Sequence, residues 1–296
     1  MALNLEANME QTNIDEILNK TTRAGKSTKI KRPIVVQHNS LIEARYKLTA
    51  LEQKFMLFAC SKVDRTKSAF FKIQIKYSDI FELLDLKNTK AKYKRLGEII
   101  SGLSTKELFI YNKDDETLLQ TTWMAGALHT LEGYVEVAFH YKLEPLLLQL
   151  KKNFTKAYLT DIIRFKGSHT IRLFLIFSSY QNMRKDTLLY FDLAKMKRSL
   201  FIENKYKDFK NFKVRVLLPA QREFKKNKTQ NNFLFKVRRG RNKVVLGIFI
   251  YLYNQKTDKH PTMPKPSFDN VCEIRDIDKI FAEYRKNIRQ RKNATS

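Results

Sequence analysis

The sequence predicts an α+β fold made of two tandem copies of one unit, and three observations carry that prediction. The order helix, strand, helix, helix, paired strands occurs twice between residues 33 and 254. From the cap of the second helix to a tyrosine in the next, the spacing is 15 residues in the first copy, Ser78 to Tyr93, and 14 in the second, Asp192 to Tyr206. Charge divides the copies: residues 153–254 hold 23 Lys and Arg against 6 Asp and Glu, a net +17, whereas residues 33–152 hold 18 against 14, a net +4. The reading is thus a basic arm over 1–32, a first unit over 33–152, a second over 153–254, and a tail over 255–296.

Residues 1–32 lack a sustained apolar period and end in a basic run, which reads as a mobile arm. Gly25, Lys26, Ser27 and Thr28 have the look of the end of a phosphate-binding loop, but the position required to be glycine is Lys20 and no strand precedes it. The first unit begins near Pro33. Thr49 and Glu52 form a capping box for a helix to about Val63, a strand follows over 71–75, and Ser78 caps a helix over 79–86. Asn88 or Thr89 opens a third helix with Tyr93, Leu96, Ile100 and Leu103 turned inward; its outer face carries Lys90, Lys94 and Glu98, with Arg95 on a flank. Strands over 107–111, 118–128 and 134–140 complete this unit, and their exposed edges could pair with a second copy of the chain.

A short connector, residues 141–153, leads into the second unit. Ser168 precedes a helix over 169–181, a strand spans 188–191, Asp192 caps a helix to about Leu200, and a long helix over 205–225 follows. On that long helix Phe209, Phe212, Val216, Ala220 and Phe224 share one side, a core face at spacings of three and four. The opposite side collects Lys207, Lys210, Asn211, Val214, Arg215, Leu218, Arg222 and Lys225, and Lys205 at the start of the stretch is a further candidate for DNA contact. Cations there suit phosphate, Arg and Asn suit base edges, and small apolar groups suit thymine methyls. Strands over 233–237 and 244–251 close the unit, joined by a basic turn with Arg238, Arg239, Arg241 and Lys243 around Gly240. Helix, strand, two helices and hairpin describe a winged helix, whose third helix enters the major groove with the hairpin beside it. Pro261, Pro264 and Pro266 then mark a linker, and Ile277, Ile280, Phe281, Tyr284 and Ile288 suggest a final amphipathic helix.

Quoted together, Val36-Gln37-His38-Asn39, Leu48-Thr49-Ala50-Leu51-Glu52-Gln53, Phe154-Thr155, Ser168 to Leu173, and Lys205-Tyr206 through Phe209, Arg215-Val216-Leu217, Pro219-Ala220 and Glu223 resemble the initiator proteins of iteron-containing theta-replicating plasmids. The resemblance covers roughly residues 33–252. It implies two winged-helix domains that bind repeated double-stranded DNA sites at a plasmid origin, with a proline-alanine pair kept inside the long helix. Monomers would bind the repeats and open the origin; dimers joined through the first unit would bind an inverted repeat and repress the initiator's own gene. It further implies recruitment of host replication proteins (helicase, initiator, chaperones) without nucleotide hydrolysis. No cofactor and no metal is expected.

The same residues fit poorly with DNA-cutting enzyme classes. His38, His129, His140, His169 and His260 include no closely spaced pair of the kind that holds a metal beside a tyrosine nucleophile in rolling-circle nucleases. His169 and Arg172 have the spacing of a tyrosine recombinase motif, with Tyr206 downstream and Arg45 upstream, but Arg172 is more simply a helix residue near a phosphate-binding start. The expectation is no catalytic residue. A transcriptional regulator without a replication role would use every DNA-binding residue named above and stays open as an alternative. Cys60 and Cys272 match no metal spacing, the first residues are too polar for a signal peptide, and no apolar run approaches the roughly 20 residues of a membrane span. A cytoplasmic protein is expected.

Overall fold

The computed structural model describes residues 33–70, 72–86, 91–112, 117–183, 188–259, 261–264 and 272–273. The arm over 1–32, Lys90 and the expected helix around 277–288 lie outside the described residues.

In the first unit β1 (Ile34–His38) leads into α1 (Asn39–Glu43), β2 (Arg45–Tyr46) and α2 (Ala50–Ser61). The capping box is formed: Thr49 Oγ1 accepts the Glu52 N–H, and Glu52 Oε2 accepts the Thr49 N–H at 2.7 Å. Next come β3 (Ile73–Lys76), α3 (Tyr77–Leu83) and α4 (Ala91–Thr105). Two hairpins follow, β4 (Leu108–Asn112) with β5 (Thr117–Thr121) and β6 (Met124–His129) with β7 (Tyr134–Phe139), then a connecting turn and α5 (Glu144–Leu147).

The second unit holds β8 (Phe154–Tyr158), α6 (Leu159–Ile163), α7 (Ser168–Met183), β9 (Leu188–Asp192) and α8 (Leu193–Ser199), whose N-terminus Asp192 caps through the Lys195 N–H at 3.0 Å. After it come α9 (Phe209–Phe212), one π-type turn (Lys213–Leu217), α10 (Leu218–Lys226), and the long hairpin β10 (Asn231–Arg239) and β11 (Val245–Asn254). A short β12 (Cys272–Glu273) runs parallel to β9 at Leu189 and Tyr190.

Sheet order makes the repeat explicit. β3–β7–β6 in the first unit corresponds to β9–β11–β10 in the second: the strand before the paired helices joins the returning strand of the last hairpin. Both units are therefore winged helices. β4 and β5 pair with β2 in a separate three-stranded sheet and have no counterpart among the described residues of the second unit.

Several expectations are corrected. The strand read over 118–128 is two strands in different sheets, because the chain turns at Thr122 and buries Trp123 against Tyr46, ring centroids 5.1 Å apart. The strand over 134–140 is the middle of its sheet and has no free edge; the edges of that sheet are β3 and β6, and β5 is an edge of the other. Ser78 stands inside α3 and caps nothing, its hydroxyl 3.3 Å from Asp79 Oδ1. Tyr93 is 54% exposed rather than inward, and Ile99 takes a core place beside Leu96, Ile100 and Leu103. The long helix starts at Phe209, not Lys205, since Tyr206 has a left-handed φ of 53°.

The two units are joined by backbone. β1 and β8, equivalent strands of the two copies, pair antiparallel around Val36 and Lys156. Beside this ladder the buried Thr155 hydroxyl donates to Asn39 Oδ1 at 2.7 Å, and Gln53 Nε2 donates to Leu48 O and, across the junction, to Ser168 O at 3.2 Å. Phe165, Phe174, Phe224 and Phe233 pack ring against ring beneath α10.

Candidate nucleic-acid interface

The recognition segment, 209–226, is set by Pro219. Proline has no N–H and its ring excludes the carbonyl four residues back, here Arg215. Widening the preceding turn to π geometry over Lys213–Leu217 relieves that conflict without ending the helix. The wider turn also resets the faces. Val216 and Leu217 both enter the core with Phe212, Ala220 and Phe224. Phe209 is only partly buried and Leu218 lies half-buried at the flank, while Val214 is 46% exposed.

What remains outward is nearly all donors. Lys210, Asn211, Arg215, Arg222 and Lys225 are exposed, as expected, and so are Lys213 and Lys226. Lys213 was missed because a uniform wheel places it on the core side, between Ala220 and Phe224; its ammonium stands 5.8 Å from the Phe235 ring of β10, bridging helix and wing. Lys205 and Lys207 are exposed in the loop before the helix rather than on it. That loop is anchored: Lys197 Nζ donates to Tyr206 O at 2.7 Å, and the Lys205 N–H donates to Ile202 O at 2.9 Å. Tyr206 therefore packs against the core through its ring and accepts a bond through its backbone.

The wing differs in detail from its expected form. Its strands extend to Arg239 and from Val245, so Arg238 and Arg239 belong to β10 and the turn is Gly240 to Val244. Arg238 is half-buried, donating to the Tyr190 hydroxyl at 3.3 Å. Arg239 is exposed, one nitrogen donating to Lys243 O at 2.8 Å; Arg241 and Lys243 are exposed at the tip. The left-handed positions are Asn242 and Lys243, φ 55° and 59°, rather than Gly240. Glycine is required at Gly247 instead, where a Cβ would come within 2.6 Å of Phe191 O.

Ser168, half-buried, is the first residue of α7, and the N–H groups of Lys166 and Gly167 just before it are turned to Glu223 Oε2, at 2.7 and 3.5 Å. Arg172 is not at a phosphate-binding start: it is 3% exposed and bonded to carbonyls. His169 lies near it, and burial first, then Lys205 and Arg172, lowers its pKa below the ordinary 6.5. Burial pushes the Cys60 thiol up to about 12.

In the first unit Lys94 and Arg95 are exposed on α4, and Arg95 pairs with Glu98 at 2.8 Å. That wing tip is Thr130, Leu131, Glu132 and Gly133, the last with φ 86°. It presents an acid and an apolar side chain where the second wing presents arginine and lysine. Among the described residues, no three His, Cys, Asp or Glu side chains gather to hold a metal, and no helix is long and apolar enough to cross a membrane.

Residues 34–178 match the family described as initiator replication protein, WH1, and residues 192–250 match initiator Rep protein, WH2. The chain belongs to the initiator replication protein family. This is a winged-helix family and not a class of enzymes. Two relatives from Escherichia coli are similar to this initiator-family chain. A replication initiation protein is 25% identical over 214 residues, 70% of this chain and 66% of the relative. The PI protein is 34% identical over 116 residues, 35% of this chain and 38% of that one. The chain thus spans slightly under two thirds of the first relative's length and much less of the second's. The solved Pi initiator protein in complex with iteron DNA shares the fold at a TM-score of 0.63 and 20% identity, over 76% of this chain and 99% of that one.

Proposed function

We propose that this chain is a plasmid replication initiator that binds repeated double-stranded DNA sites at an origin. The observation that carries the reading is the second unit's outward face: from Phe209 to Lys226 the only carboxylate is Glu223, and it is bonded inward. In this reading Asn211 and Arg215 meet base edges with Val214 and Leu218 against apolar base groups, while Lys205, Lys207, Lys210, Lys213 and Arg222 hold phosphate. Arg239, Arg241 and Lys243 carry the wing to the neighbouring backbone; Arg238 steadies the wing on Tyr190. The first unit, less basic, adds contacts through Lys90, Lys94 and Arg95 and lies near Ser168.

Family membership and the iteron complex of the Pi relative support this reading. By the same analogy, monomers open the origin and recruit host replication proteins. Dimers formed through the edge strands of the first unit repress the chain's own gene. The protein acts in the cytoplasm without cofactor or metal. The test is a search for tandem sites next to the coding region, followed by footprinting of the intact chain on them. Protection of each repeat, about two helical turns long as two reading units require, is expected. Protection of a lone operator alone would instead make the chain a regulator without a replication role.

A further inference from the structure

One guanidinium closes helix ends from both units. Arg172, on α7, donates through Nη1 to Ile42 O at 2.9 Å and through Nη2 to Ala44 O at 2.8 Å and Ser199 O at 3.2 Å. Ile42 lies in the last turn of α1 and Ala44 is its C-cap, in the first unit; Ser199 ends α8 in the second. Carbonyls at a helix C-terminus have no donor within the helix and carry its partial negative charge, so a cation is favoured there. The plane of Arg172 also lies 4.0 Å over the Tyr46 ring, which abuts Trp123 in the first unit's core.

A second tie runs alongside. Arg45, next to Ala44, forms an ion pair with Glu203 and stands 4.6 Å over the Phe201 ring. Phe201 and Glu203 belong to the stretch between α8 and the recognition segment, so both ties act on the chain that leads into the reading helix. With the β1–β8 ladder and the Gln53 bond to Ser168 O, these ties fasten the stretches that lead into the reading helix to the first unit.

We propose that Arg172 is a positioning residue that fixes the offset between the two winged helices, and so sets the single half-site spacing a duplex must present. The inference rests on the reading that both units contact DNA. Two reading heads held rigidly gain the full effective concentration of the second contact at one spacing only; loosened heads accept several spacings, each with less gain. Lysine cannot replace arginine in this role, because an ammonium lacks the planar fork that reaches three carbonyls at once.

The intact chain, Arg172→Lys, Arg172→Gln and Arg45→Gln are each selected on a library of random duplexes of about 40 base pairs, enough for two half-sites a helical turn or two apart. Enriched sequences are read for spacing, and the best duplex then competes with derivatives gaining or losing a base pair between half-sites. The parent chain should enrich one spacing and lose about tenfold or more on the derivatives. Arg172→Lys, folded by circular dichroism, should enrich several spacings and discriminate them by about threefold or less. Should both Arg172 variants fail to fold, Arg45→Gln, at a pair whose side chains are 20% and 28% exposed, must show the same broadening. Folded variants that keep one spacing and the full penalty overturn the proposal. So does a parent chain that binds selected sites but tolerates any spacing, which leaves DNA binding itself intact. A parent chain that enriches nothing removes the DNA reading and this inference with it.

Discussion

Glu223 reaches from the recognition helix to the loop before α7, where its Oε2 accepts the Lys166 N–H at 2.7 Å. The same carboxylate accepts the Thr170 hydroxyl at 3.2 Å through Oε1. It thus works as a remote cap for α7 and removes the only acid of 209–226 from the outward face. Glu223→Gln should cost about 1–2 kcal/mol of stability, the loss of charge-assisted bonds to backbone donors. Denaturant unfolding checks this, and an unchanged midpoint would contradict the capping role.

The state of His169 makes stability depend on pH. Its folded pKa lies below 6.5, chiefly through burial, so the unfolded chain takes up the proton first as pH falls. Its contribution is fully present above about 6.5 and is lost on acidification through that window. Thermal unfolding midpoints at pH 7.5 and 5.5 should therefore differ more for the parent chain than for His169→Gln. Equal differences would assign the acid sensitivity elsewhere.

Much of the fold was legible because both units announce their elements by period and cap: Thr49 with Glu52, Asp192 with Lys195, and the apolar stripe from Phe212 to Phe224. The segments that carried the family resemblance meet in space at the junction. Asn39 of one bonds Thr155 of another, and Gln53 bonds the carbonyl of Ser168 in a third. Periodicity describes one element's faces and says nothing of which partner covers them. That is why the β1–β8 pairing and the burial of Arg172, a residue whose charge suggests a surface, could not be read beforehand. Pro219 did signal a departure from a regular helix, but a π turn rather than a break follows only from the phenylalanine core that holds both sides together. The outward donors were largely legible; Lys213 was not, because its exposure depends on that turn.

Association of the chain should run through an edge of the first unit. β6 is an edge strand, and its Leu128 is 59% exposed. A lysine on such an edge blocks strand addition at little cost to the monomer. Leu128→Lys should shift the intact chain towards monomer in sedimentation equilibrium without lowering its unfolding midpoint. An unshifted distribution would move the interface away from β6.

In the proposed reading the helix Phe209–Lys226 reads base edges while the wing holds backbone. Binding of Arg215→Ala and Arg239→Ala to the footprinted repeat and to random duplex, over a range of salt, measures it most directly. Arg215→Ala should lose about 1–3 kcal/mol on the repeat and little on random DNA, the worth of a bidentate base contact. Arg239→Ala should weaken both alike and flatten the slope of log affinity against log salt, by about 0.9 for one phosphate contact. An Arg215→Ala protein with an unchanged ratio of repeat to random binding would contradict the orientation of the helix in the groove.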